Sequence, residues 1–301
     1  MAYWKHYHTP KTVKEAVDTL ATYGGQATLI GGGTDMLLEI QQGHRPPVEA
    51  LVDPTKIQGL DQITEEEGWI VIGCGVTHTQ IVRDERIRSR GTCLAESCGV
   101  IGGPQVRNVG TLAGNIAHAL PAGDGTIGLL TLGAEIEVAS QEGMTWIAME
   151  KTFLGPGKST IDPGSALITR IRFRPTGERE ASAYRRVMRP QGVALPMIAM
   201  GTRLHLDRDI IVQARVTIGP AGPVPFSSRQ AADYLQGRPA DAESFQEAAR
   251  LALDEASLRT SKHRATSEYR EMMILRLLPH TLSKAAERAR TGHVEPEGIG
   301  Q

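Results

Sequence analysis

The chain has 301 residues, a formal net charge of −1 and a hydrophobic share of 40%, as expected of a soluble globular protein of one large or two medium domains. Near-neutrality excludes a general nucleic-acid binder, which needs a marked basic excess, and no apolar run is long enough to span a membrane. Cys74, Cys93 and Cys98 have no paired spacing, so reduced thiols in a cytoplasmic protein are expected, and the first residues carry no apolar signal core.

Taken in order, Thr12 and Glu15 have capping-box spacing and open a helix whose apolar face is Val13, Ala16, Val17 and Leu20. Gly24-Gly25 closes it. Residues 27–30 read as a strand, Gly31-Gly32-Gly33-Thr34-Asp35 as a loop, 36–42 as a short helix and 50–53 as a second strand ending on an acid. Three readings of this unit stand side by side: a Rossmann nucleotide site, a plain tight turn, and a phosphate-contacting loop of another fold. Against the first, Met36 occupies the third glycine position of the fingerprint and no second βαβ half follows.

Residues 69–73 read as a strand, and 77–88 and 91–98 as helices. The stretch from Cys98 to Ala139 then carries glycines at 99, 102, 103, 110, 114, 123, 125, 128 and 133, with Asn108, Thr111, Asn115 and Asp124 between them. Glycines permit close approach and left-handed backbone, and turns that aim successive N–H groups make anion cradles. A phosphate-bearing ligand lying on main chain is therefore expected, followed by a helix over 125–133 and a strand over 134–139. Gly157-Lys158-Ser159-Thr160 resembles the end of a P-loop. Thr152 stands at its first glycine and Pro163 breaks any following helix, which makes it a surface loop.

After strands at 144–149 and 166–173, the polar segment 175–180 marks a domain boundary. Residues 182–187, 196–206 and 210–218 predict three antiparallel strands, and 227–236, 242–256 and 267–290 predict helices, giving an α+β second domain. From Thr291 onward a disordered tail is expected. No zinc, calcium or serine-hydrolase motif occurs. His118 reads as a hydrogen-bonded bystander or polar lining, and Cys93 and Cys98 as core thiols. With glycine-rich cradles but no acid, base or nucleophile set, the chain fits a protein that positions a cofactor whose own chemistry does the work.

Residues 29–38, Leu-Ile-Gly-Gly-Gly-Thr-Asp-Met-Leu-Leu, and 106–116, Val-Arg-Asn-Val-Gly-Thr-Leu-Ala-Gly-Asn-Ile, are joined by Pro121-Ala122-Gly123-Asp124. Together they resemble the FAD-binding medium subunit of molybdenum hydroxylases, the group of aerobic carbon monoxide dehydrogenase, xanthine dehydrogenase and nicotinate-type dehydrogenases. Phe153-Leu154-Gly155, the segment from Arg264 to Arg270, and Met272-Met273 are similar to that subunit's linker and C-terminal domain, so the resemblance covers residues 1–290.

It implies a fold of class α+β. Residues 1–176 would form a PCMH-type (vanillyl-alcohol-oxidase-like) FAD-binding domain with subdomains 1–56 and 57–176. Residues 177–290 would form a small C-terminal domain with a three-stranded antiparallel sheet plus helices. By the same resemblance, Gly31, Gly32, Gly33, Thr34 and Asp35, flanked by Ile30 and Met36, form one pyrophosphate loop, and Gly110, Thr111, Gly114 and Asn115 the other. Asp124 falls near the ribose and pyrophosphate, Ile101 and Gly102 at the flavin ring, Ile168 beside the pyrimidine or adenine parts, and Arg185 near the ring. Ala113 replaces the family's usual glycine, and Arg189-Pro190-Gln191-Gly192 replaces its Arg-Arg and nearby acid. No four-cysteine insertion is present, so no extra [4Fe–4S] cluster is expected. The resemblance further implies a small partner with two [2Fe–2S] clusters and a large molybdopterin partner, assembled as a dimer of heterotrimers. Electrons would reach NAD or a quinone through FAD, in the cytoplasm or at the inner face of the membrane. The alternatives are a self-sufficient FAD-dependent oxidase or dehydrogenase of the same fold, and a non-catalytic assembly subunit.

Overall fold

A computed structural model describes residues 3–189, 195–262 and 264–299. Of the expected departure at 189–192, only Arg189 lies within the described residues.

The first stretch of the chain contains β1 (His6–His8), α1 (Val13–Thr22), β2 (Ala27–Leu29), α2 (Met36–Gln41) and β3 (Ala50–Val52). Its strands are parallel, in the order β1-β3-β2. The central strand is fully buried at Ala50, Leu51 and Val52, as a parallel strand covered on both faces must be. Thr12 caps α1 by accepting from the Glu15 N–H at 3.1 Å. The Glu15 carboxylate accepts from the Lys11 N–H instead of that of Thr12, so half of the capping box forms.

The next stretch, which shares one core with the first, begins with β4 (Ile63–Glu66) and β5 (Trp69–Gly73), followed by α3 (His78–Arg83), α4 (Glu85–Arg90), α5 (Thr92–Gly99), α6 (Pro104–Arg107), α7 (Leu112–Ala117) and α8 (Asp124–Leu132). It ends with β6 (Glu135–Ser140), β7 (Gly143–Ala148), β8 (Phe153–Gly155), β9 (Lys158–Ser159) and β10 (Leu167–Phe173). The expected helix over 77–88 is two helices, because Asp84 leaves the helical region and its carboxylate caps α4 through the Arg86 and Ile87 N–H groups. An antiparallel sheet, β4-β5-β10-β6-β7, holds the helices on one side. Arg174, Trp69, Arg172 and Trp146 stack in sequence, with guanidinium-to-ring distances of 4.0, 4.4 and 4.0 Å. Helices α5 and α8 are buried along their whole lengths. The P-loop-like stretch is the small hairpin β8–β9. Cys74, Cys93 and Cys98 are unpaired and buried within this core.

The C-terminal part contains β11 (Glu180–Met188), β12 (Pro196–Asp207), β13 (Ile210–Gly219), β14 (Phe226–Ser227), α9 (Arg229–Leu235), α10 (Ala242–Glu255) and α11 (Ser267–Thr291). Its sheet is antiparallel in the order β11-β12-β13-β14. The expected three strands gain a fourth, the two-residue β14, too short to carry an alternation signal. The helices share a second core with this sheet. Contact with the first part is close. A Cβ on Gly201 of β12 would lie 1.9 Å from Thr131 Oγ1 of α8, and one on Gly219 would lie 2.5 Å from the Pro121 carbonyl.

One expectation is corrected. The tail is bound rather than disordered between Gly292 and Ile299. The buried Arg288 donates to the Glu295 carbonyl at 2.6 Å, the Glu297 N–H donates to Glu96 at 2.9 Å, and Ile299 seats on Gly99. Its polar composition hides the docking because the tail bonds a buried charge pair from two other elements while staying largely exposed itself. No helix among the described residues is long and apolar enough to cross a membrane.

Candidate functional site

The two glycine-rich loops, distant in sequence, pack on each other. A Cβ on Gly32 would lie 2.0 Å from the Val109 carbonyl oxygen and 2.7 Å from the Gly110 Cα, and one on Gly31 would lie 2.7 Å from Thr111 Oγ1. Glycine at 32 is therefore demanded by the other loop. Gly33 has φ +69°, a region that glycine enters without steric cost. It turns the chain into α2, whose buried Met36 and Ile40 dock with Ile30 and Leu51 in a small separate core.

This geometry leaves backbone donors unused. Among the described residues, the N–H groups of Gly31, Gly32, Gly33, Thr34, Asp35 and Met36 have no acceptor, nor do those of Thr111 and Ala113. Runs of unpaired N–H groups are where proteins hold anions. Asp35 makes no side-chain cap to α2, and its side chain is 60% exposed. Thr111 caps α7 by accepting from the Gly114 N–H at 3.1 Å. The Asn115 carbonyl oxygen accepts from the Thr126 N–H and hydroxyl at 3.1 and 3.2 Å, so it caps α8, where the N-cap position, Gly123, has no side chain. His118 bonds Glu39 at 2.8 Å and ties α7 to α2. Ala113 lies buried in α7 without disturbing it.

Asp124, the first residue of α8, is only 5% exposed. The Tyr184 hydroxyl donates to one of its oxygens and Arg186 Nη1 to the other, the latter at 2.8 Å. Burial pushes its pKa up to about 6, while the Arg186 charge and the two hydrogen bonds pull it down. Arg186 also donates to the Val100 carbonyl at 2.5 Å, and Arg107 to the carbonyls of Ile101 and Gly102 at 3.1 and 3.0 Å. The turn from Val100 to Gly102 is thus pinned by two guanidinium groups. Ile101 and Gly102 are half-buried there, and Ile168 lies buried on β10 within the main core.

Arg185 points the other way along β11. Its guanidinium pairs with Glu297 at 2.7 Å, as strand alternation requires once Tyr184 and Arg186 face Asp124. Arg186, on the face of β11 that meets Asp124, is not among the residues expected from the sequence. Nor is His78. That side chain is 3% exposed, lies beneath Gly110 and has a buried Nδ1 without a partner, while the backbone N–H of His78 donates to the Gly110 carbonyl at 3.0 Å. Burial, with the Arg107 charge adding, lowers its pKa to about 4.

Residues 3–175 match the family model described as the FAD binding domain in molybdopterin dehydrogenase, and residues 182–285 match that of the CO dehydrogenase flavoprotein C-terminal domain. This chain is an FAD-binding medium subunit of the molybdenum hydroxylase family. It is 27% identical over 285 residues to the xanthine dehydrogenase FAD-binding subunit of Escherichia coli O157:H7, covering 94% of this chain and 96% of that one. It is 30% identical over 245 residues to the nicotinate dehydrogenase FAD-subunit of Eubacterium barkeri, covering 80% and 82%. The solved structure of reconstituted CO dehydrogenase from Oligotropha carboxidovorans superposes with a TM-score of 0.86 at 27% identity, over 95% of this chain and 97% of that one. The subunit is accordingly an oxidoreductase component with the α+β fold of these flavoproteins. Its donor set fits FAD. Two loops in contact present unpaired N–H groups and no competing lysine clamp, which suits a diphosphate held on main chain.

Proposed function

We propose that this subunit binds FAD across its two packed glycine loops and passes electrons between a partner's clusters and a soluble or membrane acceptor. The observation that carries the reading is the unpaired donor set of residues 31–36 meeting Thr111 and Ala113. When bound, the flavin supplies the conversion between the one-electron steps of two [2Fe–2S] clusters in a small partner and the two-electron reduction of NAD or a quinone.

The chain's own residues bind and orient. Gly31, Gly32, Gly33, Thr34 and Asp35, between Ile30 and Met36, hold one side of the diphosphate through main-chain donors, and Gly110, Thr111, Gly114 and Asn115 shape the other side. Each N–H given to an ionised oxygen contributes about 1.5–3 kcal/mol. Ile101 and Gly102 face the ring, with Arg186 and Asp124 holding their turn, while Ile168 closes the apolar side. Arg185 stands at the rim with Glu297. A large molybdopterin subunit completes the complex, a dimer of heterotrimers in the cytoplasm or on the inner face of the membrane.

The test is direct. The full chain, purified and incubated with FAD, should retain one flavin per chain, released on denaturation. A colourless chain that takes up none refutes the reading. In the assembled complex, stopped-flow reduction of the flavin through the iron–sulfur partner tests the electron route.

A further inference from the structure

The tail that follows α11 is tied to three elements. Arg288 of α11 is 1% exposed and Glu96 of α5 is 2% exposed, and they pair at 2.6 Å. Two backbone N–H groups, of Tyr184 at 2.8 Å and of Glu297 at 2.9 Å, complete the Glu96 carboxylate, while the Ser182 and Glu295 carbonyls accept from Arg288. The tail thus supplies one donor and one acceptor to a buried charge pair between the two parts of the chain. The Glu297 side chain then bonds Arg185 at 2.7 Å and Lys284 at 2.8 Å. Two residues on, Ile299 lies against the last residue of α5, where a Cβ on Gly99 would be 2.5 Å from Ile299 Cγ2. Gly99 immediately precedes the turn Val100–Gly102, whose carbonyls Arg186 and Arg107 hold from elsewhere.

We propose that the segment from Glu295 to Ile299 is a positioning element for the flavin. It covers Gly99, completes the Glu96–Arg288 pair and so fixes the turn that meets the ring. This rests on the flavin reading above. Among the described residues the tail makes no hydrogen bond to the glycine loops, so its effect belongs to the ring end of the site.

A pair of changes isolates the contact. Gly99→Ala places a methyl 2.5 Å from Ile299 Cγ2, and Ile299→Ala removes that atom, leaving the Cβ and Cα at 3.0 and 3.1 Å, contacts that a shift of a few tenths of an ångström in the tail relieves. Expected results for Gly99→Ala are FAD binding weakened tenfold or more, altered visible absorption bands of the bound flavin, and faster amide exchange at residues 100–102, with exchange at 31–36 unchanged. Adding Ile299→Ala should restore all three, which a general loss of packing would not do. Removal of residues 293–301 should reproduce the Gly99→Ala phenotype. If Gly99→Ala acts equally with and without Ile299→Ala, or if the shortened chain keeps wild-type flavin affinity and spectrum, the proposal is overturned. Failure of the wild-type chain to take up FAD is a separate result, which refutes the flavin reading and the proposal with it.

Discussion

At Gly32 a missing side chain decides the geometry of the site. A Cβ there would lie 2.0 Å from the Val109 carbonyl oxygen, so a single methyl separates the two loops and moves both sets of unpaired donors. Gly32→Ala should lose FAD at least tenfold. Its stability cost should be about 1–3 kcal/mol, the range for forcing a methyl into a packed contact. Fluorescence titration with circular dichroism separates the two effects. Gly24→Ala serves as the control. Gly24 has a positive φ, +54°, which Gly32 does not, and no neighbour within 4 Å, so backbone strain alone acts there and FAD affinity should be unchanged.

Among the elements, α5 and α11 are the pair whose contact is least expected. Glu96 of α5 and Arg288 of α11 are both buried, and they are satisfied by each other, by the tail and by the β11 backbone at Ser182 and Tyr184. Burial raises the Glu96 pKa, with the Arg288 bond opposing. Arg288→Met strands a carboxylate in the core and should cost about 3–5 kcal/mol, the range for breaking one side of a buried pair. Combining it with Glu96→Leu should recover much of that loss, as urea midpoints would show. Helices and strands with regular patterning were legible in the sequence. The apolar face of α1, the loop into α2 and the alternating strands β11 to β13 all followed from spacing. Where a side chain finds its partner in a distant element, spacing says nothing. Asn115 capping α8, Tyr184 reaching Asp124 and the tail on Glu96 each depend on which segments the fold brings together. Strand period puts Arg186 on the same face as Tyr184, but only the fold decides that this face meets Asp124. His78 gave no signal, since an isolated histidine beside a capping threonine reads as surface until the second loop covers it.

For the whole molecule, His78 and Asp124 set opposing slopes of stability with pH, and Glu96, raised by burial, adds to the slope of Asp124. His78 titrates at about 4 in the fold, below its ordinary 6.5. Its contribution is present above pH 6.5 and is lost as pH falls toward 4. Asp124 titrates at about 6, above its ordinary 3.8. Its contribution is present below 3.8 and is lost as pH rises through 6. Between about pH 4 and 6 the two offset. His78→Gln should therefore uncover a fold that weakens as pH rises across that window, and Asp124→Asn one that weakens as pH falls. Each slope should approach roughly 1 kcal/mol per pH unit, read from urea unfolding at several pH values. Equal slopes in the two variants would contradict the assignment of these groups. The buried thiols add a consequence of another kind. Cys93 and Cys98 lie in α5, fully enclosed, and burial raises both thiols far above the range in which thiolate forms. Because alkylation needs thiolate and access together, a labelling reagent stays silent on the closed chain. The rate at which these cysteines react then becomes a clock for the separation of α5 from its neighbours, timing how often the wall beside the Val100–Gly102 turn comes apart.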